Sequence, residues 1–314
     1  MKAEHQSVLT EEVRNALRVE PSDTVVDATI GGAGHFAAML SALGEGGTLV
    51  GIDADPAAVE RGREAYATDR RSERPVTHIV CDNFRNLARI LERLNVGSVN
   101  AILFDLGWSG YQIAAPRGFS FSADEPLLMA YAEDTTTAAE LVNMLSLEEL
   151  ADLIYTYGDE RFARRIAREI VVARAHERIL TTSQLVEAIK KGTPSWYHKG
   201  KIHPATKTFQ ALRIVVNDEI GALKEGLAAA LVALAPEGRL AVITFHSIED
   251  RVVKNVLRDA ADKGCGALSP KKPVTPSRAE VLKNRRARSA KLRVFKRAAA
   301  CTKLSCEPAQ HSYA

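Results

Sequence analysis

The stretch VVDATIGGAGHFAAML, residues 25–40, decides the fold. A short apolar run with two valines ends at Asp27, a glycine-rich turn follows, and a run of small and apolar residues continues to Leu40. This succession is typical of a buried strand, a turn and a helix in a parallel α/β sheet, where such turns lie at the ligand-binding edge. The stretch therefore predicts both the fold class and the position of a site.

Four more short apolar runs follow the same pattern and are separated by helical periodicity, which predicts a doubly wound parallel sheet that is buried on both faces. They are TLVGIDAD (48–55), THIVCD (77–82), NAILFDLG (100–107) and RLAVITFHS (239–247). Several runs end in a polar residue, and the carboxyl ends of parallel strands share one edge. We expect one site there, bordered by Asp27, Asp53, Asp82, Asp105 and His246.

Strand patterns disappear between residues 109 and 204, where helical periodicity dominates. We therefore predict a helical domain, 109–204, inserted into a discontinuous α/β domain, 1–108 and 205–314. Ser146 with Glu149 forms a capping-box signature, and Gly158 is a stop signal. A second inserted helix is expected to have Thr182 or Ser183 as its N-cap and Gly192 as its end, and a break near Asn217 and Asp218 is expected to divide two later helices.

Composition sets broad limits on the class of protein. The chain has 314 residues, 46% of them hydrophobic, and a formal net charge of +3, which describes a globular protein with a full core. The amphipathic N-terminus has no apolar signal region, and no run has the length of a membrane span, so we expect a cytoplasmic protein without a membrane partner. Cysteine spacing predicts free thiols and no metal site for Cys81, Cys265, Cys301 and Cys306.

A one-sided basic segment lies near the C-terminus, residues 271–297. Its only acid is Glu280, whereas its basic residues are Lys271, Lys272, Arg278, Lys283, Arg285, Arg286, Arg288, Lys291, Arg293, Lys296 and Arg297. A solvated charged surface is one interpretation. The one-sided charge favours contact with the phosphate backbone of a nucleic acid.

The glycine turn itself discriminates between cofactors. A dinucleotide turn needs G-x-G-x-x-G and a phosphate loop needs G-x-x-x-x-G-K-S/T, whereas GGAGH, residues 31–35, has neither the third glycine nor the lysine. An NAD-dependent oxidoreductase is therefore disfavoured. S-adenosyl-L-methionine has no pyrophosphate and needs a ribose acceptor from the next strand, a position that Asp53 occupies. Strand-end carboxylates also suit its sulfonium cation, so a methyltransferase is favoured.

Long motifs spread over nearly the whole chain resemble one family, the bacterial cytosine-N4 methyltransferases of small-subunit (16S) ribosomal RNA, called MraW or RsmH. These motifs are HQSVLTEEV (5–13), GAGH (32–35), GIDADP (51–56), RGFSF (117–121), ERFARRIAREI (160–170), HPATKTFQALRIVVNDE (203–219), ITFHSIEDRVVK (243–254) and ARSAKLRV (287–294). The resemblance implies a Rossmann-like S-adenosylmethionine-dependent sheet with an inserted all-helical domain. It also implies methylation of N4 of a cytidine in the decoding region.

The resemblance further implies a set of cofactor-binding residues: Ala33, Gly34, His35, Asp53, Phe84, Asp105 and Gln112. Asp53 would accept from the ribose hydroxyls, and Phe84 would pack against adenine, although a core aromatic is the alternative for Phe84. Asp105 is the candidate catalytic residue, because an acceptor that holds an N4 hydrogen helps that nitrogen to rehybridise. A backbone carbonyl is the alternative acceptor, and no covalent nucleophile is expected.

Substrate-side candidates fall in several places. Trp108, Tyr111 and Phe119 could form walls for a flipped base, with core packing as the alternative. A polar stripe of His203, Lys207, Gln210 and Asn217 is either a solvated helix face or part of the RNA-binding wall, and His246 is either a ligand or a structural residue. Cationic candidates for phosphate contact are Arg285, Arg288 and Lys291, with further basic surface from Arg161, Arg164, Arg165, Arg168, Arg174 and Arg178.

The chain departs from the family pattern in the glycine turn, in LGWSGYQ (106–112) and, most importantly, in the segment that follows RGFSF. Where relatives carry P-L-D-M-R-M-D, this chain has PLLMAYAED (126–134), so Leu128 and Ala130 replace an aspartate and an arginine. A second hypothesis is therefore a catalytically weak, S-adenosylmethionine-binding RNA-binding or ribosome-assembly factor. The expected partner is small-subunit ribosomal RNA, either naked or in an assembled subunit, and the sequence leaves a homodimer open.

Overall fold

A computed structural model describes residues 7–107, 117–131 and 135–300 of the protein. The chain divides into two compact units, one formed by Met1–Ser109 with Ile220–Ala314 and the other by Gly110–Glu219. We call them the sheet unit and the helical unit. None of the helices in the described ranges is both long and apolar enough to cross a membrane.

The sheet unit begins with alternating helices and strands. In chain order these are α1 (Thr10–Leu17), β1 (Thr24–Asp27), α2 (Gly34–Ala42), β2 (Thr48–Asp53), α3 (Pro56–Thr68), β3 (Val76–Cys81), α4 (Leu87–Arg93) and β4 (Val99–Asp105). The four strands are those that the sequence predicts. Asp55 caps α3 by accepting from the Ala57 amide, and Pro56 takes the first helical position, where its missing N–H costs nothing.

The helical unit contains α5 (Ala138–Met144), α6 (Leu147–Gly158), α7 (Ala163–His176), α8 (Thr182–Gly192) and α9 (Thr206–Val216). The predicted capping box of Ser146 and Glu149 and the stop at Gly158 are confirmed. The predicted cap of α8 is wrong by one residue, because Thr181 and not Thr182 or Ser183 accepts from the Gln184 amide. The reciprocal bond from Gln184 completes a capping box at Thr181.

The rest of the sheet unit comprises α10 (Glu219–Ala233), β5 (Leu234–Thr244), α11 (Ser247–Asp262), β6 (Gly266–Leu268), α12 (Arg278–Lys283) and β7 (Lys291–Arg297). The predicted division between two helices near Asn217 and Asp218 is confirmed, since α9 ends at Val216 and α10 starts at Glu219.

One seven-stranded sheet runs in the order β3-β2-β1-β4-β5-β7-β6. Strands β1 to β5 pair in parallel, whereas β7 pairs antiparallel to both β5 and β6. The predicted α/β class with a Rossmann-like sheet is confirmed. The sequence did not reveal β6, which has only three residues, or β7, whose sequence KLRVFKR is interrupted by charges.

Apolar cores cover both faces of the sheet. One contains Phe104, Leu227 and Phe295 with α10 and α11, and the other contains Phe36, Leu103 and Ile243 with α1 and α2. A separate core holds the helical unit together around Ile154, Ile166 and Ile189. Cys81 and Cys265 are free thiols as expected, and Cys301 and Cys306 lie outside the described residues.

Candidate active site

The glycine turn between β1 and α2 packs beneath the N-terminal motif of the chain. A Cβ at Gly34 would lie 2.0 Å from the Ser7 hydroxyl, so a larger residue at this first position of α2 would have to displace the Ser7 side chain. Ala33 precedes it with φ of 61°, a left-handed conformation that is uncommon for a residue with a side chain. Ser7, in the N-terminal motif, therefore touches the turn, a contact that spacing along the chain did not predict.

Three strand ends place carboxylates around this turn, on β1, β2 and β4. Asp53 at the end of β2 accepts from the Gly31 amide at 2.8 Å and from the Asp55 amide at 2.8 Å. The amide of Asp105 donates to the Thr29 hydroxyl at 2.7 Å, which ties the end of β4 to the loop after β1. Thr29 is a supporting residue that the sequence analysis missed, because nothing in its spacing marks it.

His35 and Asp105 are brought together. Nε2 of His35 lies 3.7 Å from Oδ2 of Asp105, and the imidazole is almost completely buried. Burial lowers the pKa of His35 to about 4, although a hydrogen bond with the Val8 backbone acts in the opposite direction. The ring is therefore neutral near pH 7 and does not neutralise the neighbouring carboxylate.

Asp27 is fully buried at the end of β1. Its Oδ1 accepts from the Thr29 amide at 3.1 Å, and among the described residues its Oδ2 has no hydrogen-bond partner. Burial raises the pKa of Asp27 well above its ordinary value, with added repulsion from Asp105 and Asp53. Burial likewise raises the pKa of Asp53, against the opposing effect of its backbone bonds.

These carboxylates fit a cationic cofactor. A bound positive charge would oppose the burial and the carboxylate repulsion that together raise the pKa of Asp27, so a ligand with a sulfonium and an ammonium group gains electrostatically at this edge. The orphaned Oδ2 of Asp27 and the acceptor atoms of Asp53 provide polar partners, and the glycine turn has no lysine that would suit a phosphate. S-adenosyl-L-methionine matches this donor set.

Phe84 lies in a short 3₁₀ turn, Phe84–Asn86, after β3. Its ring is half-buried and packs edge-on against Phe104, with 5.4 Å between the centroids, and it rests on Gly226 of α10. Part of the Phe84 ring therefore packs in the core, against Phe104 and Gly226. Asp82, just before it, accepts from the Asn83 amide and from the Asn86 side chain, both at 2.8 Å.

His246 has a structural role at the start of α11. Its Nδ1 accepts from the Glu249 amide at 3.3 Å, and Glu249 accepts from the amides of Phe245 and His246, which forms a capping box with a histidine in the cap position. Nε2 of His246 also lies 3.0 Å from Glu249. These bonds support the structural alternative for His246, in which the side chain caps α11.

The basic segment near the C-terminus divides into exposed and paired residues. Arg285 and Arg288 are exposed and line an open cavity of about 370 Å³ with Val281 and Leu282. By contrast, Lys291 donates to Asp250 at 2.9 Å, and the buried Arg293 donates to the same carboxylate at 2.7 Å. Strand β7 thus uses two of the basic residues internally, and Arg293 does not belong to an exposed surface.

The polar stripe of the helical unit also makes internal bonds. His203 stacks on Phe121 with 4.4 Å between ring centroids, and Lys207 donates to the Asp159 carbonyl at 2.7 Å. Burial, followed by the charges of Lys190 and His198, lowers the pKa of His203. Gln210 donates to the Tyr157 carbonyl at 3.2 Å. The stripe is thus not merely a solvated face.

Asn217 clamps the segment that departs from the family pattern. Its side chain accepts from the Tyr131 amide and donates to the Met129 carbonyl, at 2.9 and 2.8 Å. Backbone bonds from Ala138 and Ala139 to Leu128 and Leu127 hold the same segment, while Leu128 is 38% exposed and Ala130 is 7% exposed. Hydrogen bonds to other parts of the helical unit therefore hold residues 127–131 without the aspartate and the arginine.

Three candidates cannot be placed. Trp108, Tyr111 and Gln112 lie outside the described residues. Phe119 is described, and it stacks on Tyr131 with 5.7 Å between ring centroids.

Comparison with known proteins gives consistent results. The model of the MraW methylase family matches residues 2–298. A protein named Ribosomal RNA small subunit methyltransferase H from Deinococcus radiodurans is 48% identical over 299 residues, which cover 94% of this chain and 90% of that protein. Its namesake from Brevibacillus brevis is 43% identical over 310 residues, covering 92% of this chain and 96% of the relative.

A solved structure of an rRNA methylase from Streptococcus thermophilus aligns with 92% of this chain and 93% of its own, at a TM-score of 0.42 and 12% identity. A similarity this distant gives no information about the site. The family match covers most of the chain and indicates a methyltransferase. The parallel sheet with its antiparallel β7, and the carboxylates around the glycine turn, are consistent with that class and with S-adenosyl-L-methionine as methyl donor. This chain belongs to the MraW methylase family of methyltransferases, and its cofactor is S-adenosyl-L-methionine.

Proposed function

We propose that this chain methylates N4 of a cytidine in the decoding region of small-subunit (16S) ribosomal RNA. The observation that carries the proposal is the similarity, over more than nine-tenths of the chain, to proteins named as small-subunit ribosomal RNA methyltransferases. The cytidine and its N4 atom follow from the resemblance of the chain's motifs to cytosine-N4 enzymes, and the chemistry of the strand-end site is consistent with both.

N4 of cytosine is a poor nucleophile because its lone pair is delocalised into the ring. Asp105 accepts one N4 hydrogen and so favours the rehybridised nitrogen in the transition state. Two features keep this carboxylate effective. Its backbone is fixed by Thr29, and the adjacent His35 is neutral, so no imidazolium competes for the negative charge.

The remaining strand-end groups position the two reactants. Bound S-adenosyl-L-methionine supplies an electrophilic methyl group on a positively charged sulfur. Asp53 accepts from the ribose hydroxyls while it holds the glycine turn through the Gly31 amide. Asp105 provides negative potential that attracts the cation, and the bound cation in turn favours the ionised form of Asp27, which burial disfavours. Proximity and alignment then account for much of the barrier reduction.

Arg285 and Arg288 contact the phosphates of the RNA in this proposal. Both are exposed, whereas Lys291 is held by Asp250 and contributes less. Within the helical unit, Lys207 holds the end of α6 and Asn217 holds the segment around Met129.

A catalytically weak RNA-binding factor is the second candidate. It is favoured by Leu128 and Ala130, which provide neither the charge nor the hydrogen bonds of the family's aspartate and arginine. The two candidates differ in turnover and not in cofactor binding.

Incubation with methyl-labelled S-adenosyl-L-methionine and small ribosomal subunits from a strain without the cytosine-N4 enzyme tests the proposal. Nuclease digestion and mass spectrometry then locate the label. We expect label on N4 of one decoding-region cytidine. Label on another atom or nucleotide would contradict the proposed specificity, and cofactor binding without label would support the second candidate.

A further inference from the structure

An aromatic cluster with an exposed tryptophan lies at the start of α7 in the helical unit. It consists of Phe162, Trp196 and Tyr197, with Arg161 beside all three rings. Trp196 meets Phe162 and Tyr197 edge to face, at centroid distances of 6.0 and 5.9 Å, yet 57% of Trp196 is exposed. The indole is therefore held by two aromatic neighbours while more than half of it faces solvent.

The support beneath Trp196 is rigid. The Tyr197 hydroxyl donates to Glu160 at 2.6 Å, and the fully buried Glu160 also accepts from the Phe162 amide at 2.9 Å. Burial, reinforced by Glu160, raises the pKa of Tyr197, so the tyrosine stays protonated and keeps this bond. The backbone of residues 194–200 closes in successive turns, from the Tyr197 amide to the Pro194 carbonyl onward.

A close backbone contact sets the position of this support. A Cβ at Gly192, the last residue of α8, would lie 2.7 Å from Cα of Ile166. Glycine is therefore required where α8 ends against α7, and the chain after it passes over Phe162. The helical core thus presents the indole in a defined orientation.

The charge around Trp196 is one-sided. The Arg161 guanidinium lies 4.8 Å from the centroid of the Trp196 ring and 4.8 Å from that of Phe162. Within residues 7–107, 117–131 and 135–300, no carboxylate forms an ion pair with Arg161. From Ala188 to Asn217 the sequence contains no acid, and Lys190, Lys191, Lys199 and Lys201 are exposed. Glu160, the acid that precedes Arg161, is buried and bonded to Tyr197 and the Phe162 amide.

We propose that Trp196 and Arg161 form a platform that binds an unpaired nucleotide of RNA, the base stacked on the exposed indole and the phosphates held by Arg161 and the neighbouring lysines. Aromatic faces accept any base, and the Arg161 guanidinium, which pairs with no carboxylate in the described part of the chain, suits a phosphate oxygen. Charge complementarity favours RNA over an apolar protein partner, because such a partner would bury the cations unpaired. The platform rests on the proposed function, which it extends to a contact in the helical unit.

The test uses the full-length protein and a short fluorescein-labelled oligouridine, whose bases are largely unstacked. Trp196→Ala and Arg161→Gln are compared with Tyr155→Ala, a control that removes another exposed aromatic ring, 65% exposed on α6. We expect Trp196→Ala to weaken binding about ten-fold and Arg161→Gln to lessen the salt dependence, with Tyr155→Ala unchanged. Circular dichroism verifies that each variant is folded.

A direct readout comes from the indole itself. The chain has two tryptophans, so a Trp108→Phe variant reports Trp196 alone. Stacking of a base quenches its emission as oligouridine is added. Wild-type affinity in Trp196→Ala, absence of quenching, or a change confined to the self-association of the protein would each overturn the platform.

Failure of the platform and failure of the proposed function give different results. If Trp196→Ala binds oligouridine normally while the wild type labels a decoding-region cytidine, only the platform is wrong. If the wild type labels no RNA but Trp196 is quenched by oligouridine, the platform is supported and the proposed methylation is wrong.

Discussion

Nε2 of His35 lies 3.7 Å from Oδ2 of Asp105, and burial holds the pKa of this histidine at about 4. In the unfolded chain His35 has a pKa near 6.5, whereas in the native state its pKa is about 4. Between these two pH values the unfolded chain therefore binds a proton that the native state does not bind. The free energy of unfolding therefore falls as pH drops from 6.5 towards 4, by up to about 3 kcal/mol from this residue.

We expect His35→Gln to reduce this loss, as measured by urea unfolding at several pH values between 7.5 and 4.5. The raised pKa of Asp27 acts in the opposite direction, because its protonation favours the native state as pH falls. The difference between wild type and His35→Gln isolates the histidine. Equal pH dependence in the two proteins would show that His35 is not held neutral.

Asp27 and Asp53 should respond differently to the same substitution. Asp27→Asn replaces a buried carboxyl of raised pKa with a neutral group and should leave the urea midpoint at pH 7 unchanged or higher. Asp53→Asn puts an amide nitrogen against one of two backbone donors, Gly31 or Asp55, and should cost about 1–3 kcal/mol. Equal destabilisation by the two changes would contradict this assignment.

Asp105→Asn tests the acceptor assigned to N4. The amide keeps the shape of the side chain but loses most of its basicity, so we expect kcat to fall about 100-fold or more. Cofactor affinity, measured by calorimetry, should change much less, since we propose that Asp53 and Asp27 also contribute to cofactor binding. A variant with wild-type kcat would exclude Asp105 as the acceptor and leave a backbone carbonyl as the alternative.

Asp250 accepts from two basic residues of β7, of which Arg293 is buried and Lys291 is partly exposed. Burial acts to raise the pKa of Asp250, but the two cations outweigh it and lower the pKa. Arg293→Met should therefore cost about 3 kcal/mol in urea unfolding, whereas Lys291→Ala should cost less than about 1 kcal/mol.

The lowered pKa of Asp250 also makes the free energy of unfolding depend on pH. The stabilisation by Asp250 is present above the ordinary aspartate pKa and disappears as pH falls below it, and Arg293→Met should remove most of that dependence. If Lys291→Ala instead proved as destabilising as Arg293→Met, the buried pair would not be the main link between β7 and α11.

Asn217 makes three side-chain hydrogen bonds, two of them to the segment that contains Leu128 and Ala130. Asn217→Ala leaves the buried Met129 carbonyl without this donor and should destabilise the protein by about 2 kcal/mol in thermal or urea unfolding. Gln210→Ala is the matched control on α9, since it removes a single bond to Tyr157. Comparable effects would show that Asn217 does not hold the segment.

The sequence by itself determined the five parallel strands and the edge at which the site lies. Runs such as TLVGID and NAILFD are apolar over a whole strand, and each stops at an aspartate, so the pattern is local and needs no knowledge of neighbours. The same is true of the capping box at Ser146 and of the break at Asn217. Motif resemblance extended this local information to the cofactor and the enzyme family.

Only the tertiary structure showed which polar side chains form hydrogen bonds or ion pairs within the protein. Lys291 and Arg293 belong to a charge run in the sequence, yet pairing with Asp250 turns them into part of an antiparallel strand. Ser7 above Gly34, Thr29 beneath Asp105 and Trp196 on its aromatic support depend on contacts between segments distant along the chain. Spacing in the sequence carries no record of such contacts, because they arise only when separate elements pack and their backbones come within hydrogen-bond reach.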